Sequence, residues 1–167
     1  MKKNTEALWL GVTFDSEPEA IKSMRWLGKG PYRVWKNRLK GAEFDVWEKT
    51  YNDAITGVQW TYPEFKGLYD DWYWARLETS DKPLTMVSAT SGLVLRMLTP
   101  AQPEGDEFDP RFTRVDFPAG DISFLNAIAP IGTKFDAATA HGIQGLPNVI
   151  GHHGQTFEAT VYFKVGD

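Results

Sequence analysis

The chain has 167 residues, a net charge of −4 and no cysteine, and it carries seven Trp, six Tyr and ten Phe. That length suits one domain with a sizeable core. The absence of clustered cations argues against nucleic acid as a partner, and the absence of thiols excludes a disulfide framework or a thiolate metal site.

Fifteen Gly and ten Pro point to many turns, as an all-β domain requires. After Met1-Lys-Lys the apolar run is too short for a signal peptide or a membrane span, so no membrane partner is expected. Ala7 to Phe14 reads as the first strand, closed by Asp15-Ser16-Glu17-Pro18. Ala20 to Leu27 is the second. Gly41 to Glu48 and the short Val58 to Tyr62 follow, then Asp71 to Thr79. Leu84 to Ala89 and Leu93 to Leu98 flank Thr90-Ser91-Gly92 as a hairpin would. Three prolines and four acids make 100–110 a loop. Arg111 to Phe117 and Asp121 to Ile128 flank Pro118-Ala119-Gly120. Ile128 to Phe135 makes a bend, and Thr156 to Val165 is the final strand, with Phe157, Ala159, Val161 and Phe163 on one face. Helical periodicity is convincing nowhere. The outcome predicted is a large antiparallel β-sandwich occupying residues 1–167 as one domain.

The stretch from Met24 to Arg38 organises this reading. Gly28, Gly30 and Pro31 stop a strand abruptly, and two glycines so close allow positive φ or a backbone packed too closely for a Cβ. Tyr32, Arg33, Trp35 and Arg38 follow, rich in rings and guanidinium groups. Trp26-Leu-Gly-x-Gly-Pro31, then Arg38, Ala42-x-Phe-Asp-x-Trp47, Pro63-Glu64 and Gly67 together resemble the start of the terminal domain of family-two glycoside hydrolases, the β-galactosidase group. The family's Glu, Asn and Asp fall here on Arg33, Val34 and Asn37, and its Tyr on Trp35. The resemblance covers about the first half of the chain. It implies a supersandwich fold shared with galactose mutarotases. It also implies a bacterial-type parent enzyme, periplasmic or secreted, whose catalytic barrel and other domains are this domain's partners. The two catalytic glutamates of such enzymes lie on a (β/α)₈ barrel that this length cannot hold.

A second constellation runs from Glu64 to Trp74. Two positions apart on a strand, Trp72 and Trp74 share a face while Tyr73 points away. Trp35, Trp72 and Trp74 are candidate sugar platforms, with Glu64 and Asp70 as carboxylates for the hydroxyls. The bland alternative is that the indoles fill the core and that Asp70 and Asp71 are turn residues. Gly28, Gly30, Pro31 and Arg38 are assigned to the structural turn. His141, His152 and His153 lie around a glycine-rich segment. Neighbouring histidines on an extended chain point apart, so no metal site is assigned there. No catalytic residue and no cofactor is assigned either. The reading is thus a non-catalytic sandwich domain of a glycoside hydrolase, supporting the barrel and shaping its sugar pocket. An independent carbohydrate-binding module is the alternative, and an autonomous mutarotase-like enzyme a more distant third.

Overall fold

The computed structural model describes residues 5–17, 19–51, 67–99, 118–133, 136–151 and 156–167. The strands are β1 (Thr5–Ala7), β2 (Leu10–Phe14), β3 (Ile21–Gly30), β4 (Glu43–Thr50), β5 (Leu68–Tyr69), β6 (Trp74–Thr79), β7 (Leu84–Ser88), β8 (Val94–Met97), β9 (Ile122–Ala127), β10 (Asn148–Ile150) and β11 (Val161–Val165). Two short 3₁₀ turns, Ala138–His141 and Ile143–Gly145, are the helical elements among the described residues. None is long enough to cross a membrane.

Every pairing among the described strands is antiparallel. A five-stranded sheet has the order β11-β7-β6-β3-β4 and a four-stranded sheet the order β2-β9-β8-β5, while β1 and β10 form a separate pair. The chain is an all-β sandwich, as its turn-rich composition requires. The inner face of the five-stranded sheet carries the cross-strand row Phe163–Met86–Ala75–Trp26–Trp47. Opposite it, the four-stranded sheet presents Val12–Phe124–Leu95–Tyr69. Trp26 meets Tyr69 with ring centroids 4.1 Å apart, closing the core between the sheets. An indole removes ~150–250 Å² from water, so burying Trp26 contributes roughly 4–6 kcal/mol at about 25 cal/mol per Å².

The four-stranded sheet is covered on its other face too. Leu68, Val94 and Leu125 there pack with Val34, Trp35, Ile128, Ala129 and Ile131 in a second cluster. That double coverage explains why all four residues of β8 are buried. It also places a charge inside. Arg96 is wholly buried, donating from Nε to Ser123 Oγ at 2.9 Å and from Nη2 to Ala119 O at 3.0 Å and to Gly120 O. It thereby anchors the Pro118–Asp121 turn to the sheet.

Several sequence expectations are corrected. The stretch from Leu84 to Leu98 is not a hairpin. Strand β7 pairs with β6 and β11, β8 pairs with β5 and β9, and Thr90-Ser91-Gly92 crosses from one sheet to the other. Alternation marks each strand but does not say which neighbour it takes, and β8 is apolar enough to need cover on both faces. The first strand is split at Leu8 and Trp9 into β1 and β2, which join different sheets. Strand β3 is not stopped by its glycines. It runs through Gly28 and Gly30, which pair with Asp45 and Glu43, and ends at the cis peptide before Pro31. The final strand is shorter than expected, starting at Val161. The predicted strands Val58 to Tyr62 and Arg111 to Phe117, the loop 100–110, Glu64, His152 and His153 lie outside the described residues.

Candidate functional site

The end of β3 is built around two close approaches. A Cβ on Gly28 would lie 2.7 Å from the Cα of Trp72, and one on Gly30 would lie 2.6 Å from Cδ1 of Trp47 and 2.9 Å from Cζ2 of Trp26. Both glycines have ordinary φ, so lack of space, and not a left-handed backbone, demands them here. The Trp47 indole N–H donates to Gly28 O at 3.1 Å, and that of Trp26 donates to Lys29 O at 3.2 Å. The turn residues then tie the chain after β3 to the 131–132 backbone within the second cluster. Arg38 donates through Nη2 to Gly132 O at 3.1 Å, and Asn37 both donates to Ile131 O and accepts from its N–H. Tyr32 projects into solvent, while Val34 and Trp35 are buried.

The candidate sugar contacts separate. Trp35 is 2% exposed and Trp72 4% exposed, so neither indole offers a ring face to a ligand. Trp72 stacks on Phe124 with centroids 5.7 Å apart and belongs to the core between the sheets. Trp72 and Trp74 do not share a face. Asp71 adopts φ +47°, a left-handed turn that an aspartate tolerates, and β6 starts only at Trp74. The two-residue repeat therefore does not extend back to Trp72. It turns inward, Tyr73 turns outward, and Trp74 is partly exposed.

Outward of the turn lies a corner of aromatic and charged groups. Lys29 and Phe44 are cross-strand partners on β3 and β4. Tyr73 is 58% exposed and Phe44 54% exposed, and their rings meet edge to face, 5.6 Å apart at 84°. The Lys29 ammonium lies 2.6 Å from Asp71 Oδ2 and 3.4 Å from Asp70 Oδ2. The hydrogen bond to Asp71 raises the Lys29 pKa, burial opposes that, and the charges of both aspartates reinforce it. Among the described residues, Asp70 is thus the sequence candidate whose carboxylate lies in this corner, while Trp74 lies beside it on the same sheet face. Sequence reasoning missed Phe44, Lys29 and Tyr73. Alternation sets Tyr73 on the face away from the tryptophans, but the strand begins only at Trp74.

The outer face of the five-stranded sheet continues this surface. Its row Tyr162–Val87–Trp74–Leu27–Val46 is apolar, and the next row, Lys164–Thr85–Arg76–Arg25–Glu48, is polar. At the other end of the sandwich a buried polar group surrounds Arg96. Asp121 Oδ2 accepts from Ser16 N–H at 2.7 Å and Ser16 Oγ–H at 2.6 Å, and the Tyr51 hydroxyl lies 3.1 Å from Thr99 Oγ1. Burial pushes the Asp121 carboxyl up, but the Ser16 and Thr99 hydrogen bonds and the Arg96 charge together outweigh it and hold it below its ordinary value. Burial pushes the Tyr51 phenol up to about 12. Among the described residues no group of three or more histidine, aspartate or glutamate side chains could hold a metal ion. No protein-family model and no curated protein matches this chain.

Proposed function

We propose that the chain is a non-catalytic β-sandwich domain of a β-galactosidase-like glycoside hydrolase, packed beside the catalytic barrel of its parent enzyme and shaping the sugar pocket there. One observation carries the reading. Two of the pieces of sequence that bear the resemblance meet in space, while Pro63-Glu64 lies outside the described residues. Trp47, which closes Ala42-x-Phe-Asp-x-Trp47, donates its indole N–H across 19 residues to Gly28 of Trp26-Leu-Gly-x-Gly-Pro31 and fills the space above Gly30. The two pieces lie on the paired strands β3 and β4, and this packing supports reading them as one unit. Arg38, the next match in sequence, is bonded instead to Gly132 O.

Two measurements test the proposal. The purified chain should not hydrolyse aryl β-galactosides or related glycosides, because two carboxyls must flank a sugar for that chemistry and the family places them on the barrel. Turnover that disappears on mutating one of the chain's own carboxylates would overturn it. The residues encoded upstream of Met1 in the natural polypeptide provide the second measurement, and a (β/α)₈ barrel there supports the reading. A second reading, an independent carbohydrate-binding module, is favoured by the exposed Tyr73–Phe44 corner with its flanking charges. An upstream region without a catalytic barrel would favour that reading.

A further inference from the structure

We infer that the corner formed by Tyr73, Phe44, Lys29, Asp70 and Asp71 is a contact site for a neutral pyranose, with Trp74 at its margin. The inference rests on the reading of the chain as a domain of a carbohydrate-active enzyme for its choice of ligand class, and on the structure for its place. An exposed aromatic pair on a sheet face is unusual unless something covers it, because large rings carry the greatest cost in water. Here the two rings stand perpendicular, so together they make two walls of a shallow corner. A pyranose is amphipathic in a matching way. Its C–H face can lie on one ring while its equatorial hydroxyls point sideways to hydrogen-bonding groups.

Those groups are present and only partly used. The Lys29 side chain is 31% exposed and that of Asp71 48% exposed, although the two are paired. An ammonium has three donors and a carboxylate about four acceptor positions, so each keeps capacity after meeting the other. The ion pair also holds both side chains in place before a ligand arrives, which lowers the ordering cost of binding. Two carboxylates face one ammonium, so the rim is net negative. A sugar bearing its own carboxylate is disfavoured, and galactose or glucose fits better than glucuronate. The expected affinity is millimolar, since the corner is open and no lid excludes water among the described residues.

The test is an NMR titration of the whole chain with galactose, glucose and glucuronate. The readouts are the ring resonances of Tyr73 and Phe44 and the indole N–H of Trp74. The expected result is saturable movement of those signals with a neutral hexose, weaker movement with glucuronate, and silence from the buried Trp72 indole. Tyr73→Ala should weaken hexose binding at least about tenfold, whereas Tyr73→Phe, which keeps the ring, should bind much as the parent does. Should Tyr73→Ala fail to fold, Phe44→Ser and Asp71→Asn probe the second wall and the rim, and each should also weaken binding. Any of four results overturns the inference: no movement at millimolar sugar, movement confined to other residues, unchanged binding by these variants, or tighter binding of glucuronate. Absence of sugar binding beside an upstream barrel would remove the corner and leave the hydrolase-domain reading standing. Sugar binding without an upstream barrel would do the reverse.

Discussion

Replacing Gly28 with Ala should destabilise the chain more than the same change at Gly30, and both more than at Gly92. At Gly28 the new methyl would sit 2.7 Å from the Trp72 Cα and 3.1 Å from Asp71 O. Those are backbone atoms, framed on either side by the hydrogen bonds from Lys29 N to Asp70 O (3.0 Å) and from Tyr73 N to Leu27 O (2.8 Å). Relief requires the 71–72 backbone to move. Overpacking costs about 1–3 kcal/mol and a weakened hydrogen bond about 1 kcal/mol, so the total is about 3 kcal/mol. At Gly30 the obstacle is the Trp47 indole at 2.6 Å with Trp26 behind it at 2.9 Å. Trp47 is partly exposed and can swing, giving up its bond to Gly28 O, for about 2 kcal/mol. Gly92 has open space around it and only a positive φ of +75° to lose, about 1 kcal/mol. For a chain of this size each kcal/mol lowers Tm by about 2–4 °C, so falls of ~6–12, ~4–8 and ~2–4 °C are expected for Gly28→Ala, Gly30→Ala and Gly92→Ala. Thermal melts by circular dichroism decide it. If Gly28→Ala melted within ~3 °C of the parent, or Gly92→Ala were the worst of the three, close packing would not be the reason for these glycines.

Arg96→Ala should cost about 3–5 kcal/mol in urea unfolding, because it leaves Gly120 O and Ser123 Oγ without their buried donor and Ala119 O with only the Thr13 hydroxyl, and a loss below about 1 kcal/mol would remove Arg96 as the anchor of that turn. Asp121 has a folded pKa below its ordinary 3.8, so its contribution is present above that value and is lost as pH falls through the lower, folded value. Asp121→Asn should therefore narrow the stability difference between neutral pH and pH below about 4, and an acid limb identical to the parent's would count against the Ser16 hydrogen bonds as its cause. Tyr51 behaves in the opposite sense. With its pKa raised from 10.0 to about 12, its contribution is complete below 10.0 and is lost as pH rises towards 12, so Tyr51→Phe should flatten the alkaline limb of the melting curve over that interval.

Local chemistry was readable along the chain. The period-two runs from Ala20 to Leu27 and from Leu84 to Ala89 mark strands because one face of each must leave water. The density of Gly and Pro made an all-β outcome the natural one. Crowding at Gly28 and Gly30 was also foreseeable, since two glycines inside one aromatic stretch need a reason. What alternation cannot carry is partnership. Strands β7 and β8 lie five residues apart between Ser88 and Val94 and still join different sheets, because β8 is covered on both faces and β7 already has two neighbours. Nor could the sequence say which tryptophan meets solvent. One left-handed residue, Asp71, sends Trp72 into the core and Tyr73 outward, reversing the assignment that strict alternation makes for that pair. The sequence by itself determined the fold class and the residue types available for a site. The tertiary structure alone decided which of them meet, because sheet order and one backbone dihedral depend on how distant strands bury their faces against each other.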